Sequence, residues 1–305
     1  MALSGQLCQC DVAVLGCGNM GSAIVRAALA TGRRVAVWNR TLARSHALAA
    51  NRAVVMESAH DAILAAPVSI LCLSTTADVL EVLGTLDPSA AEKSTILNLT
   101  SGTPDEGERL GVWAEQRGIA YLDGAILAYP EQIGSPDARF LIGGAPELWL
   151  KHQELVYALA GASSHVGSNA GAANVLDAGL VGAFYITAVV AFIEASRFMT
   201  SSGVSERAIS SLVNYAVSQL EGEMQDVLRR LEKSEFATDQ ASLTVYHDAA
   251  QTFLNAMSAF GTESAVTTAA VDTLRSGVKA GFGVEDISAL VKLATGVAQG
   301  DQTRS

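Results

Sequence analysis

The chain has 305 residues, half of them apolar, and carries 31 Asp and Glu against 20 Lys and Arg. This length and apolar content are enough for a sizeable core and suggest two domains. The formal net charge of −11 argues against nucleic acid or an anionic membrane surface as a partner. The amino terminus, MALSGQLCQC, lacks the basic region and long apolar core of a signal peptide, so we expect a cytoplasmic protein.

The cysteines and histidines show no spacing typical of metal ligands. Cys8 and Cys10 form a lone C-x-C pair without a second pair or a nearby histidine, and Cys72 lies in an apolar run. A structural zinc site needs four ligands grouped in the fold, and paired motifs are its usual signature. We therefore predict no metal centre.

The first motif is a glycine-rich turn between a strand and a helix. DVAVLG is a short β-branched run, and the amphipathic segment SAIVRAALATG follows the turn and ends at Gly32. In this context G-x-G-x-x-G is typical of dinucleotide binding, because the glycines allow a tight turn and a close approach to a pyrophosphate. A purely structural glycine turn is the alternative. The predicted cofactor contacts here are Gly16, Gly18, Asn19, Met20 and Gly21.

The end of the second strand, RVAVWN, indicates which dinucleotide binds. An NAD site would place Asp or Glu at this point, whereas this chain has Asn39, Arg40 and Thr41, followed by Arg44. Two guanidinium groups can pair with a 2′-phosphate, and no acid at this strand end would repel it. The predicted cofactor is therefore NADP (NADPH). The alternative is a pair of solvated arginines at the start of a surface helix.

Strands and helices then alternate, which predicts an α/β domain with a Rossmann-type doubly wound sheet. Further strands are predicted at VSILCLS, STILNLTS, IAYLDGAILAYP and ARFLIGG. Ligands of such sheets bind outside the carboxyl ends of the strands. Polar and small residues at those ends are candidate ligand contacts, although each alone is more often a turn or cap residue. They are Ser74, Thr75, Asn98, Thr100, Ser101 and Ala125.

The second half is helical in pattern. Residues 147–160 predict a helix, 165–167 a last short strand, and 171–195 a long helix that is apolar on nearly every face. Such a helix must be buried inside a large domain or between subunits, and its apolar core is short for a membrane span. The remaining segments predict an all-α domain. The predicted divisions are 1–167 for the dinucleotide domain, 168–200 for an interdomain helix and 201–305 for the helical domain.

One carboxylate, Asp177, lies in this apolar helix, and a phenol, Tyr185, follows two turns later. A carboxylate among apolar residues is costly unless it is paired, protonated or used. Tyr185 lies about 80° around an α-helix from Asp177, so both could face one pocket. Asp177 could instead interact with the helix dipole, and Tyr185 could be an ordinary core residue.

These motifs together resemble the imine reductases and reductive aminases of the β-hydroxyacid dehydrogenase-like superfamily. The resemblance covers nearly the whole chain. It rests on VLGCGNMG, WNRT with the following Arg44, ILNLTSGTP, LDGAILAYPEQIGSP, VLDAGLVGAFY and GFGVEDISAL.

The resemblance implies NADPH-dependent reduction of C=N bonds. Similar hydroxyacid dehydrogenases carry a catalytic lysine on the long helix, where this chain has Asn174, and imine reductases carry an Asp that matches Asp177. Ionised, Asp177 would stabilise an iminium ion; protonated, it could donate the proton. Tyr185 is the second catalytic candidate. Tyr246 matches a residue lining the pocket, and Ala125 and Asn174 are further substrate contacts implied by the resemblance.

The resemblance also implies a homodimer in which the long helix passes between subunits and each helical domain completes the partner's active site. Two other functions remain open. An NADP-dependent hydroxyacid dehydrogenase is disfavoured because Asn174 stands where that chemistry needs a lysine. A non-catalytic NADP-binding sensor would leave the buried carboxylate of Asp177 without a use.

Overall fold

The computed structural model describes residues 9–86 and 94–293, so Cys8 and the end of the chain lie outside the described residues. The chain forms two compact units, Met1–Phe184 and Tyr185–Ser305. The first unit contains a single sheet of eight strands in the order β3-β2-β1-β4-β5-β6-β7-β8. The strands are β1 (Val12–Leu15), β2 (Val35–Trp38), β3 (Val54–Val55), β4 (Val68–Leu71), β5 (Thr95–Asn98), β6 (Tyr121–Leu127), β7 (Arg139–Gly144) and β8 (Ser164–Gly167).

The sheet confirms the predicted Rossmann-type α/β fold. Neighbouring strands are parallel except for β6 and β7, which pair in antiparallel fashion from Leu122↔Gly144 to Leu127↔Arg139. Residues 128–138 join these two strands and contain only a short 3₁₀ turn, Pro130–Gln132. A parallel return needs a crossover of a dozen or more residues, usually a helix. This connection is too short for one, so the chain turns back antiparallel.

Helices cover both faces of the sheet, as a parallel sheet requires. Two buried clusters, one on each side, contain the alternate residues of the central strands, for example Val14 on one face and Leu15 on the other. The helices of the first unit are α1 (Asn19–Ala30), α2 (Leu42–Ala49), α3 (Ala59–Leu64), α4 (Thr76–Gly84), α5 (Pro104–Glu115), α6 (Pro146–Leu159) and α7 (Ala172–Leu176).

The register of the central strands puts their carboxyl ends in one row. Leu15 at the end of β1 pairs with Leu71, Leu71 pairs with Asn98, and Asn98 pairs with Asp123. The glycine turn begins directly after Leu15. Asp123 is therefore level with the start of the predicted cofactor site, and β6 continues beyond this row to Leu127.

The described part of the second unit is helical, as predicted. Its elements are α8 (Ile186–Ser201), α9 (Glu206–Lys233), α10 (Leu243–Ala259) and α11 (Ala265–Gly277), then a π turn (Val278–Phe282) and a 3₁₀ turn (Ile287–Leu293). Helix α9 is a single continuous helix that joins an amphipathic part to a charged end, and Ser205 caps it. Its charged end continues the helix because Arg229 and Arg230 pair with Asp226 one turn earlier.

A carboxylate from α8 caps α11. Glu194 accepts hydrogen bonds from Ser264 Oγ at 2.7 Å and from the backbone N–H of Ala265 at 3.1 Å. These donors lower the pKa of Glu194, the Ser264 hydroxyl contributing most. The first N–H groups of a helix have no partner inside it, so an anion at this end stabilises the helix.

The long apolar helix runs from Ala172 to Ser201, and the segment Asp177–Tyr185 within it is π-helical, where the sequence predicts a regular α-helix. Gly179 and Gly182 lie in this segment, and glycine weakens a regular helix. The helix is long and apolar enough to cross a membrane, and none of its most apolar window is buried. This window is therefore not buried inside the described part of the chain, which was one of the two expectations for the helix, whereas the helix start at Ala173 and Asn174 is buried.

Candidate active site

The glycine turn has the geometry of a phosphate cradle. Gly16 has φ +102°, and a Cβ there would lie 2.1 Å from the Cys72 carbonyl oxygen. A Cβ at Gly21 would lie 1.9 Å from the Gly16 carbonyl oxygen, so both positions require glycine. Gly18, in contrast, has no atom within 4 Å of its virtual Cβ. The turn therefore leaves open space where a pyrophosphate would approach the start of α1, and its residues fit a dinucleotide.

A cavity of about 690 Å³ opens at this edge of the sheet. Most of the predicted cofactor residues line it: Gly16, Gly18, Asn19, Met20, Gly21, Asn39, Arg40, Thr41, Arg44 and Ser74. Asn39 joins the two loops of the site, because its Oδ1 accepts the Cys17 N–H at 2.9 Å and its Nδ2 donates to the Thr41 carbonyl at 3.0 Å. The cavity therefore brings the glycine turn together with the arginine-bearing loop after β2.

Arg40 reaches across the cavity to an acid that the sequence analysis did not single out. Its Nη1 lies 2.8 Å from Asp78 Oδ1, although the Arg40 side chain is 72% exposed. Asp78 stands in the first turn of α4, where Thr75 caps the helix. Hydrogen bonds from Thr75 and Arg40 lower the pKa of Asp78, Thr75 contributing most. A T-x-x-D pattern at a helix start was the available sequence signal for this residue.

Three acids line the cavity together with the two arginines. Glu57 and Glu81 join Asp78 in the wall, whereas the end of β2 carries no acid, as noted from the sequence. The wall also includes Trp38, Ser58, Ala59, His60, Cys72, Leu73, Val82 and Thr85. The acids come from the segment before α3 and from α4. Glu57 and Glu81 lie far along the chain from the glycine motif, which explains why no local pattern predicted these two acids.

The remaining candidates at the strand ends have structural partners. Thr75 Oγ1 accepts the Asp78 N–H at 3.2 Å. Thr100 Oγ1 accepts the Leu73 N–H at 3.0 Å, and the Thr100 N–H donates to Asn98 Oδ1 at 3.1 Å. Ser101 is exposed and lies outside the lining of the cavity. These contacts hold the loops after β4 and β5 at the edge of the sheet.

A buried polar cluster lies beneath that edge. Asp123 is 1% exposed and accepts hydrogen bonds from Asn98 Nδ2 at 2.8 Å, from Tyr121 Oη at 2.6 Å and from Asn174 Nδ2 at 2.6 Å. Burial raises the pKa of Asp123, and the three donors oppose that shift. Burial raises the pKa of the Tyr121 phenol well above its usual value, and the neighbouring Asp123 carboxylate adds to this shift.

The candidate catalytic acid has a different environment. Asp177 is half-buried, and burial raises the pKa of its carboxyl group. Within residues 9–86 and 94–293 the Asp177 carboxylate has no hydrogen-bond or ion-pair partner, and Asp177 lies outside the lining of the cavity. Ala125 is buried on β6 against Leu141 and Ala173. Ala125 therefore lies near the start of the long helix, as a residue of the first unit.

The two tyrosines belong to the second unit. Tyr185 is 51% exposed. Tyr246 on α10 donates its hydroxyl to Glu223 Oε1 at 3.3 Å. Burial raises the pKa of Tyr246 most, and the negative charge of Glu223 adds to the shift. Across the described residues, no group of three or more His, Cys, Asp or Glu side chains is placed to hold a metal ion.

Comparisons with known families divide the chain in two. Residues 11–167 match the NAD binding domain of 6-phosphogluconate dehydrogenase. Residues 169–296 match the C-terminal domain of the NADPH-dependent reductive aminase-like family. The boundary between the two matches lies just before the long helix.

Individual relatives match over almost the full length. The chain is 26% identical to an NADPH-dependent reductive aminase of Aspergillus oryzae over 290 residues, which is 92% of this chain and 96% of that protein. It is 30% identical to an imine reductase from Myxococcus stipitatus solved with NADP⁺, covering 93% of this chain and 99% of that chain with a TM-score of 0.83. A reductive aminase from Aspergillus terreus, solved with NADPH and ethyl levulinate, is 29% identical over 94% of this chain and 99% of that chain, with a TM-score of 0.84. The chain belongs to the imine reductase and reductive aminase family.

Proposed function

We propose that this protein is an NADPH-dependent oxidoreductase that reduces the C=N bond of an imine or iminium ion to an amine. The observation that carries the proposal is the near-full-length similarity to imine reductases and reductive aminases, with the phosphate cradle of the first half intact. Relatives in that family are solved with NADPH or NADP⁺. When bound, NADPH supplies the hydride.

The residues of the cavity would hold the dinucleotide in a definite orientation. The N–H groups at the start of α1 would face the pyrophosphate above Gly18, with Asn19, Met20 and Ser74 around it. Arg40 and Arg44 would pair with the 2′-phosphate through their guanidinium groups. Arg40 contacts the Asp78 carboxylate in the free protein. NADPH binding would therefore replace this carboxylate with the 2′-phosphate as the anion beside Arg40. Thr75, Asn98, Thr100 and Ser101 are proposed contacts at the strand ends.

Asp177 is the proposed acid of the reaction. Its carboxylate has no partner in the described part of the chain and a pKa raised by burial, so it is available to a substrate. Ionised, it would stabilise the positive charge of an iminium ion; protonated, it would donate the proton that the amine gains. Tyr185 is proposed as a second catalytic group that donates a hydrogen bond.

Three residues complete the proposed substrate site. Tyr246 and Ala125 are proposed to line the pocket. The sequence analysis predicts a substrate contact at Asn174, but this residue is 2% exposed and its Nδ2 already donates to Asp123, so we propose instead that it supports the site from beneath.

We further propose that the protein is a cytoplasmic homodimer in which the helix Ala172–Ser201 packs between subunits and the helical region of one subunit completes the site of the other. Large apolar side chains along this helix are exposed in the single chain, which supports an interface. They include Leu180, Phe184, Ile186, Val189, Val190, Phe192 and Ile193. The division into 1–167, 168–200 and 201–305 belongs to this proposal. Sedimentation without detergent should give a dimer, whereas a monomer, or a protein that needs detergent to stay in solution, would contradict it.

The proposed reaction is tested by turnover. The purified protein is mixed with NADPH and a cyclic imine such as a pyrroline, and separately with a β-keto acid, while NADPH absorbance is followed. Consumption with the imine is expected. Turnover with the keto acid alone would indicate a hydroxyacid dehydrogenase instead, and tight NADPH binding without turnover on either compound would indicate a sensor.

A further inference from the structure

The buried Asp123 joins four parts of the first unit at one point. Its Oδ1 accepts from Asn98 at the end of β5 and from Tyr121 on its own strand, and its Oδ2 accepts from Asn174 on α7. Asn98 Oδ1 in turn accepts the N–H of Thr100, whose side chain holds the N–H of Leu73 after β4. The loops after two strands and the start of the long helix are thus connected through one carboxylate.

Helix α5 packs directly against the hydrogen-bonded cluster around Asp123. A Cβ on Gly107 would lie 2.3 Å from Asn174 Nδ2 and 2.9 Å from Asp123 Oδ2. Nearby, a Cβ on Gly171 would lie 2.7 Å from the Pro104 carbonyl oxygen. The helix start is therefore held by backbone contact with α5 as well as by the hydrogen bond. Such close contact leaves little room for a second position of α7.

The location of the cluster relates it to the proposed reaction. Asp123 is level with Leu15, the residue before the glycine turn, through the register of four strands. Asn174 lies one helical turn before Asp177 on the same helix. A hydrogen bond at Asn174 therefore fixes the helix close to the Asp177 carboxylate, which has no partner among the residues that the structure describes. A misplacement of about 1 Å can cost a reaction about a hundredfold in rate.

We propose that Asp123 is a positioning residue: by holding Asn174 it fixes the start of the helix Ala172–Ser201 at the carboxyl edge of the sheet, and thereby the place of Asp177. This inference rests on the proposed function, in which Asp177 is the acid. All three partners of Asp123 donate, so the carboxylate satisfies each of them without a proton of its own. Loss of this acceptor would leave three buried donors unpaired, which favours movement of the helix start.

The first test compares two variants of Asp123, each assayed at a temperature at which it is fully folded. Asp123→Ala should lower kcat about tenfold or more while the Kd for NADPH stays within about threefold, because the glycine turn and the arginine-bearing loop after β2, which hold the phosphates, make no hydrogen bond to Asp123. Asp123→Asn should recover most of the lost kcat, since its oxygen can accept from Asn98 and Tyr121 and its amide can donate to a rotated Asn174 amide. An unchanged kcat in Asp123→Ala would contradict the proposal, because the cluster around Asp123 would then contribute to stability alone. A loss in Asp123→Asn as large as in Asp123→Ala would show a need for charge, and would equally overturn the proposal.

Gly107→Ala should disrupt the hydrogen bond between Asn174 and Asp123 by steric contact, while both hydrogen-bonding side chains keep their chemical identity. Helix propensity alone would make this change stabilising, but the added methyl must displace Asn174. We expect kcat to fall about tenfold, in line with Asp123→Ala. The matched control is Gly84→Ala in α4, where no atom lies within 4 Å of the new Cβ, and its kcat should be unchanged. Equal activity of the two glycine variants would contradict the proposal.

A readout that needs no turnover separates this inference from the proposed function. Amide hydrogen exchange of residues 172–178 should be about tenfold faster in Asp123→Ala than in the unchanged protein, with exchange in α1 the same in both. Asp123→Asn should restore slow exchange. If the unchanged protein reduces no imine, the proposed function fails, but faster exchange in Asp123→Ala would still support the anchoring of the helix. Equal exchange in all three proteins would overturn it.

Discussion

The backbone is closely packed at the glycine turn, and the polar groups around Asp123 have partners within the chain. The helix Ala172–Ser201, in contrast, exposes apolar side chains and carries the Asp177 carboxylate, which has no partner among the described residues. The first region is complete in a single chain. The second has the composition of an interior but is exposed in the single chain. The difference fits a cofactor half that is ordered before any ligand arrives, and it supports the proposal that the helix carrying Asp177 depends on groups from a second subunit.

The largest expected effect tests the close packing of the glycine turn against α1. Gly21→Ala places a Cβ 1.9 Å from the Gly16 carbonyl oxygen, so α1 must shift from the strand. We expect the free energy of unfolding to fall by roughly 3 kcal/mol and NADPH binding to be lost. Denaturant titration and a binding assay measure both.

Gly18→Ala is the matched control for that variant. Its Cβ meets no atom within 4 Å, so stability should change by no more than about 0.5 kcal/mol. NADPH should bind about tenfold more weakly, because the methyl occupies the space left for the pyrophosphate. If Gly18→Ala destabilised the protein as much as Gly21→Ala, the distinction between structural and ligand-facing glycines would be wrong.

The next effect concerns a buried histidine beneath the sheet. His152 on α6 contacts Thr95 Oγ1 at 2.8 Å, and burial lowers the pKa of His152 from 6.5 to about 4. The folded protein thus binds fewer protons than the unfolded chain between these values, so stability is full above pH 6.5 and falls as the pH drops towards 4. The loss should reach about 3 kcal/mol below pH 4. Thermal unfolding of His152→Gln should lack this part of the acid dependence, and an identical pH profile in both proteins would refute it.

A smaller effect tests the proposed role of Asp177 as the acid of the reaction. Asp177→Ala should lower kcat by about tenfold or more, the low end of what a positioned acid contributes. Since Asp177 makes no hydrogen bond in the described part of the chain, neither stability nor NADPH affinity should change much. Unchanged turnover would remove Asp177 from the mechanism. Turnover and binding titrations on the same preparation provide the comparison.

The smallest effects concern the exchange at Arg40. Arg40→Ala should weaken NADPH about tenfold and NADH hardly at all, because only NADPH carries the 2′-phosphate. Asp78→Asn should strengthen NADPH binding about threefold, since it removes the anion that competes for Arg40. Equal losses of both cofactors in Arg40→Ala would refute the phosphate role. Weaker NADPH binding in Asp78→Asn would mean that Asp78 supports the loop more than it competes.

Local geometry explains what could be predicted from the sequence. The glycine turn, the missing acid at the end of β2 and the helical second half each depend on neighbouring residues, and their patterns are visible along the chain. The pairs Arg40–Asp78 and Asp123–Asn174 join residues far apart in sequence, so no periodicity indicates them. The antiparallel β7 and the π-helical Asp177–Tyr185 were also missed, because they depend on connection length and on tertiary packing.

The lack of space beside Gly107 has a consequence for how the family's sequences can change. Any side chain at this position would occupy the space of the Asn174 amide, so Gly107 can be replaced without strain only if residue 174 changes as well. A lineage that gained a larger residue at 107 would have needed a smaller one at 174, or a helix displaced from α5. Among homologues, these two positions should therefore covary, and sequences that break the pairing should mark branches in which the helix that carries Asp177 took a different position relative to α5.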